Sequence, residues 1–307
     1  EPSQAGESLV FVIDKCAWSD ELCDVFDIPR TMLPDIVKCG QLLGGVSRDM
    51  AEAVGIEPGT PFIAGGADTQ MAIESCAPGD GDIVIVAGTT TPIASLRREY
   101  LVDPAQRCWV DRHVRDGMFI AETNVGVSGM NYQRAKDIFC PGMSYEEAER
   151  LMLERNGVPC FASTGSMIFH RGKVTPKGAF FVDAPLSAEL TAIDFVRAVL
   201  LDYAYSFKMN FEELLDITGG LTGTLRGVGG GFRGTVLPLM LSELSGREIH
   251  VASGAENASC MGLVKVLNRY FGAENADSGV ERVITPGDTG LIDTYKQWHE
   301  RRELINP

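Results

Sequence analysis

Residues Ile83 to Ala87 are an unbroken apolar run of β-favouring residues. Gly88-Thr89-Thr90-Thr91 follows, and a second apolar stretch continues to Leu96. A β run, a tight polar turn and another β run make a hairpin, here spanning about residues 82–96. Any fold for this chain has to place that hairpin in a sheet. A different periodicity governs Thr191 to Leu215, where Ile193, Val196, Val199, Leu200, Tyr203, Phe207, Phe211 and Leu214 recur at the spacing of a long amphipathic helix. Thr191 and Asp194 have capping-box spacing, and Gly219-Gly220 closes the helix.

Shorter elements fill in around these two. Residues 7–14 read as an apolar strand. Trp18 to Phe26 has helical spacing with Ser19 as a cap. Gly55 to Thr60 is a turn cluster, followed by a strand Pro61-Phe62-Ile63-Ala64 that Gly65-Gly66 cuts. Leu225 to Val228 reads as a strand before Gly229-Gly230-Gly231, Leu237 to Leu244 as a second helix, and a third helix starts near Asn257. Strands alternating with helices imply an α/β domain with a mixed sheet.

Composition narrows the function. With 307 residues, 45% hydrophobic and 22% charged, the chain is an ordinary globular one with room for about two domains. A formal charge of −15 argues against nucleic acid or an anionic membrane as a partner. No run of about 18 apolar residues is present, so no transmembrane helix is expected. Glu1-Pro2-Ser3-Gln4 is neither an initiator sequence nor a secretory signal, so a fragment, processed product or trimmed chain is expected. The eight cysteines are scattered without a C-x-x-C pair, which implies reduced thiols in a cytoplasmic protein and no zinc site. His113, His170, His250 and His299 lie far apart, so structural or surface roles are expected; His170-Arg171-Gly172-Lys173 reads as a solvated loop.

Three features could carry chemistry. In Gly65-Gly66-Ala67-Asp68-Thr69-Gln70 a strand runs through glycines into an acid and then a helix. Asp68 would stand at the mouth of a cleft as a proton acceptor; taken alone, capping the helix is the simpler role. At Gly88-Thr89-Thr90, backbone N–H groups and hydroxyls make a concave anion site, or an ordinary turn. At Gly229-Gly230-Gly231, between strand and helix, bare backbone can approach a phosphate or a base, although glycine triplets are often plain loops.

In this order and spacing the three resemble the FGGY carbohydrate kinases. The resemblance rests on Pro58-Gly59-Thr60-Pro61, Gly65-Gly66-Ala67-Asp68-Thr69-Gln70, Pro78-Gly79-Asp80 and Gly88-Thr89-Thr90. It continues through Gly229-Gly230-Gly231 to Gly246-Arg247, and through Glu256 to Gly262. Residues 2–60 resemble the end of the family's first domain, especially Pro2 to Gly6 and Trp18 to Leu22. Arg134 to Cys140 is similar to the autoinducer-2 kinase branch. The resemblance implies an actin-like (RNase H-like) ATPase fold, with residues 1–76 ending an N-terminal kinase domain and 77–307 forming the nucleotide-binding C-terminal one. It implies ATP-dependent phosphorylation of a hydroxyl on a small sugar or polyol, with Mg²⁺ bridging the phosphates and a homodimer as an expectation. By family, Asp68 is the general base, the Gly88-Thr89 turn holds transferring phosphate, and Gly230 and Gly231 line the adenine pocket. Thr90, Gly229 and Phe232 are counted with them as nucleotide-binding, with Phe232 either stacking on the base or plugging the pocket, and no residue is assigned to a metal.

The chain also departs from the pattern. Ala67 replaces a glycine, Phe232 a small residue, Gly234 a serine and Glu243 an aspartate. A second phosphate hairpin is missing, and Asp288-Thr289-Gly290, the nearest string to it, follows no strand. The chain is therefore expected to hold one wall of an active site and to turn over sugars poorly alone. A non-catalytic binding or regulatory relative is the alternative. A Rossmann dehydrogenase is disfavoured, because no strand–GxGxxG–helix unit is present.

Overall fold

A computed structural model describes residues 1–164, 177–273 and 279–305. In chain order the elements are α1 (Pro2–Gly6), β1 (Phe11–Val12), β2 (Ala17–Trp18), α2 (Asp20–Val25), β3 (Leu42–Gly45), α3 (Arg48–Val54), β4 (Pro61–Ile63) and α4 (Asp68–Ser75). Then come β5 (Ile83–Val86), β6 (Thr90–Arg97), β7 (Trp109–Arg112), β8 (Phe119–Val127), α5 (Gly129–Phe139), α6 (Tyr145–Leu153), β9 (Cys160–Ser163), β10 (Ala179–Val182) and α7 (Ala192–Thr218). The last are β11 (Leu225–Val228), α8 (Val236–Ser245), β12 (Ile249–Ala252), α9 (Ala258–Phe271), β13 (Val280–Ile284) and α10 (Leu291–Glu303).

Seven strands form one mixed sheet in the order β13-β12-β11-β5-β6-β8-β7. β5, β11 and β12 run parallel, and β5 and β6 are the expected antiparallel hairpin, with Ile83 opposite Ser95 and Ile85 opposite Ile93. Side chains alternate across a strand, and β5 has a helical layer on each face. Ile83, Ile85 and Ala87 join a core built with α7 and α8. Val84 joins the opposite core, where Ala72, Ile73 and Cys76 pack with Leu96, Ile120, Val228 and Ala258. A strand buried on both faces has no polar positions to spare, which is why residues 83–87 carry none.

The long helix matches its periodicity closely. α7 runs from Ala192 to Thr218 with the Thr191/Asp194 capping box formed and Gly219 in the left-handed conformation at φ +75°. The second and third helices fall at α8 and α9, and Ser19 caps α2, its hydroxyl accepting from Leu22 N at 3.1 Å. The strand read at residues 7–14 shrinks to Phe11–Val12, because Leu9 takes a positive φ of 63° and is exposed. The stretch 170–173 lies outside the described residues.

The expected division after residue 76 falls just past α4, whose packing faces both ways. α4 covers the seven-stranded sheet, so residues 68–76 share a core with the strands that come after them in the chain. On its other side Met71 packs with Cys39 and Ile63 of the preceding segment and with Val114 and Val266 from later in the chain. α4 and α9 touch without intervening side chains: a Cβ on Gly262 would overlap the Met71 carbonyl. Before α4, the β3–β4 ribbon leaves Leu42, Leu43 and Phe62 exposed.

An ion cluster fastens α4 sideways. Glu74, only 2% exposed, accepts from Arg115 Nε at 2.8 Å and from Arg269 Nη1 at 2.7 Å. His113 is buried beside it. Its Nδ1 accepts from Arg115 N at 3.2 Å, which leaves the proton on Nε2, 3.8 Å from Glu74. Burial, with Arg115 and Arg269 close by, pulls the imidazole pKa down to about 3. The unfolded value is about 6.5, so this group's contribution to stability is present above that pH and is lost as pH falls toward 3. Urea melts of wild type and His113→Gln between pH 7.5 and pH 5 should show a steeper loss in wild type, with a difference in slope of at most about 1.4 kcal/mol per pH unit. Equal slopes would mean that His113 does not carry the acid sensitivity.

Candidate active site

The loops after β5, β11 and β12 gather at the carboxyl ends of three adjacent parallel strands, where open α/β sheets bind ligands. Backbone hydrogen bonds stitch them together. Ala87 N–H donates to the Val228 carbonyl and Gly231 N–H to the Ala87 carbonyl, both at 2.8 Å; Gly229 N–H donates to the Ala255 carbonyl at 2.7 Å. The glycine triplet thus lies directly against the base of the hairpin tip.

The three glycines do different work. Gly229 has φ +99°, and a Cβ there would overlap the Ala87 carbonyl. A Cβ on Gly231 would sit 2.7 Å from the Ala87 Cβ. Both let two loops close on each other. Gly230 is exposed and faces open space, so it is the member of the triplet free to meet a ligand. Phe232, expected beside the adenine, points the other way. It is 3% exposed and belongs to the core, its ring 2.5 Å from where a Cβ on Gly227 would lie. Its side chain offers no face to a base.

Gly88, Thr89 and Thr90 are exposed at the tip. Gly88 N–H donates to the Thr90 carbonyl at 3.0 Å. The Thr89 carbonyl accepts from Ser128 N at 3.2 Å and Met130 N at 3.3 Å. A Cβ on Gly129 would overlap the Gly88 carbonyl. The tip carbonyls are therefore turned onto the β8–α5 junction. Among the described residues no acceptor takes the Thr89 N–H, which leaves a donor beside two threonine hydroxyls, the chemistry an anion needs.

Asp68 opens α4 at this same end of the sheet. Its carboxylate is exposed, with Oδ1 accepting from Thr69 N at 2.7 Å, and its carbonyl accepts from Ser259 Oγ of α9 at 3.1 Å. Ala67 is the N-cap residue and supplies no side-chain bond. An acid in the first turn suits the helix dipole, yet only one of Asp68's carboxylate oxygens is engaged by backbone. Gly65 and Gly66 serve packing: a Cβ on Gly66 would overlap Val114, and one on Gly65 would sit 3.0 Å from Leu263.

The N-terminal domain model of the FGGY family of carbohydrate kinases matches residues 1–73. "Putative sugar kinase YoaC" of Bacillus subtilis (strain 168) is 35% identical over 309 residues, covering 100% of this chain and 63% of YoaC. The chain is thus similar to carbohydrate kinases of the FGGY family. Autoinducer-2 kinase of Escherichia coli (strain K12) is 23% identical over 82% of the chain and 50% of that kinase. The chain thus spans between half and two thirds of these relatives. Its fold is that of solved kinases: a ligand-bound xylulose kinase from Lactobacillus acidophilus superposes with TM-score 0.80 at 13% identity over 97% of this chain and 62% of that one. Glycerol kinase of Plasmodium falciparum with ADP gives 0.79 at 15% identity, covering 97% and 61%. The seven-stranded mixed sheet is accordingly part of the fold those structures share.

Two of the chain's departures from the FGGY pattern have structural roles. Phe232 fills the core above Gly227. Glu243 accepts from Thr289 N at 3.0 Å, Thr289 Oγ1 at 2.8 Å and Leu291 N at 3.0 Å, so Asp288-Thr289-Gly290, which contrary to expectation does follow a strand (β13), is the turn that starts α10. Ser128, Gly129 and Tyr203, which brace the tip, carry no signal of that role in the sequence: Tyr203 counts there only as an apolar helix position. Among the described residues no three His, Cys, Asp or Glu side chains converge as a metal site, and no helix is long and apolar enough to cross a membrane. Gly229→Ala, which sets a Cβ against Ala87 at positive φ, should destabilise the fold by about 1–3 kcal/mol. Thermal melts would check it, and an unchanged melting temperature would show that the β5 and β11 loops do not need this close approach.

Proposed function

We propose that this chain is the nucleotide-side portion of an ATP-dependent kinase that phosphorylates a hydroxyl of a small sugar or polyol. The observation that carries the reading is the stitching of the Gly88-Thr89-Thr90 tip to the glycine triplet, with the exposed Asp68 carboxylate at the same end of the sheet. YoaC and the autoinducer-2 kinases support it by name. The substrate is left at the level of a sugar or polyol. We place the division between the two domains at residues 64–67, because α4 belongs to the sheet core. The eight free cysteines fit a reducing, cytoplasmic setting.

Each residue has a role in this reading. The backbone at Gly230 borders the adenine, with Gly229 and Gly231 shaping the loop. The Thr89 N–H and the Thr89 and Thr90 hydroxyls bind phosphate oxygens. Asp68 accepts the proton of the attacking hydroxyl. Mg²⁺, when bound with ATP, would neutralise charge between the phosphates. Phosphoryl transfer is mainly positioning plus charge stabilisation, which is what paired rigid loops supply.

Two measurements test the assignment. In the whole protein, Asp68→Asn should cut sugar-dependent ADP release by about 10²–10⁴-fold while nucleotide affinity stays near wild type; near-normal turnover would leave Asp68 as a helix-start residue only. Gly230→Trp is the better probe of the adenine site, since Gly231 has no room for a side chain. Titration should show weaker ATP binding by Gly230→Trp at an unchanged melting temperature, and equal affinity would remove the triplet from the nucleotide site.

A further inference from the structure

The hairpin tip is poorly held by its own ladder. Pairing of β5 with β6 ends at Ile85–Ile93, and the β6–β8 register is irregular between Thr90 and Pro92. Pro92 has no N–H to give. Thr91 sits at that irregularity, and its hydroxyl bonds to two other side-chain hydroxyls. Thr91 Oγ1 lies 2.8 Å from Ser128 Oγ and 2.5 Å from the Tyr203 hydroxyl. The three residues are 0%, 5% and 4% exposed respectively. Tyr203 belongs to α7, whose neighbouring positions are core.

Three hydroxyls buried together are not needed for packing. Valine, alanine and phenylalanine would fill much the same space without the desolvation cost that polar groups carry. What the hydroxyls add is direction. Tyr203 fixes Thr91 from below, and Ser128 joins the same network while its backbone N–H holds the Thr89 carbonyl.

We infer that Tyr203 is a positioning residue for the phosphate turn: through Thr91 and Ser128 it holds the Gly88-Thr89-Thr90 tip in the geometry that receives a polyphosphate. The inference rests on the nucleotide reading of the site. Burial pushes the phenol up to about 12, so it remains protonated and able to donate. Tyr203 itself stays beneath the surface and touches no ligand.

The test compares two ligands that share the base and differ in the phosphates. ATP with Mg²⁺ and adenosine are titrated calorimetrically into wild type, Tyr203→Phe, Thr91→Val, Thr91→Ser and the Tyr203→Phe/Thr91→Val double variant. Tyr203→Phe should weaken ATP by about 5- to 30-fold, the range expected for losing one buried hydroxyl bond, and leave adenosine within about twofold. Thr91→Val should match it, Thr91→Ser should retain ATP affinity, and the double variant should be no worse than either single one, as partners in one network behave. Should Tyr203→Phe fail to fold, the Thr91 pair carries the same comparison. An equal loss for both ligands, no loss for either, or additive single effects would overturn the inference. Wild type that binds ATP no better than adenosine would overturn the phosphate reading of the tip itself, a separate outcome visible before any variant is made.

Discussion

The parallel pairing of β5 with β11 is the constraint on which the site depends. Val228 and Ala87 leave the sheet side by side, and the Ala87 peptide bonds β11 and its loop on both edges, donating to Val228 and accepting from Gly231. Two loops more than 130 residues apart in the chain are thereby held in register by backbone alone. Side chains at Gly229 or Gly231 would force them apart, so glycine is a packing requirement here before it is a ligand-binding one. Around this seam the helices sort by face: α7 and α8 on one side, α4 and α9 on the other.

Features written in a local stretch of sequence were legible, and features made by distant partners were not. Ile83 to Ala87 and the period of α7 are local signals, and they place a hairpin and a helix at the right residues. The three loops stand out because their residue types are unusual, but the type does not say what each residue does. Phe232 shows the limit. Next to a glycine triplet it reads as a residue beside the adenine, yet the small Gly227 on the strand behind gives its ring a place in the core. Glu243 is similar: a substitution within a motif that is answered by a turn 46 positions later. Neither pairing leaves a mark in a local window.

The division we propose at residues 64–67 rests on contacts of the same kind. An eight-residue helix before a Pro-Gly-Asp turn can belong to either side of a boundary by pattern alone. Burial decides it: Ala72, Ile73 and Cys76 lie against the sheet, and Glu74 is held by arginines from the β7–β8 turn and from α9. A buried carboxylate with two guanidinium partners is expensive to break from one side, so α4 is fixed to the later part of the chain even though the family's first-domain model extends into it.

The bare contact between Gly262 and Met71 has a mechanical consequence. Where side chains separate two helices, rotamer changes absorb small shifts; where backbone touches backbone, there is no such cushion. α9 begins three residues after Ala255, whose carbonyl takes the Gly229 N–H, and it bears on α4 within the turn that carries Asp68. The glycine loop and the carboxylate are thus the two ends of one short, stiff linkage. The loop and the acid are therefore joined through contacts that rotamer changes do not cushion.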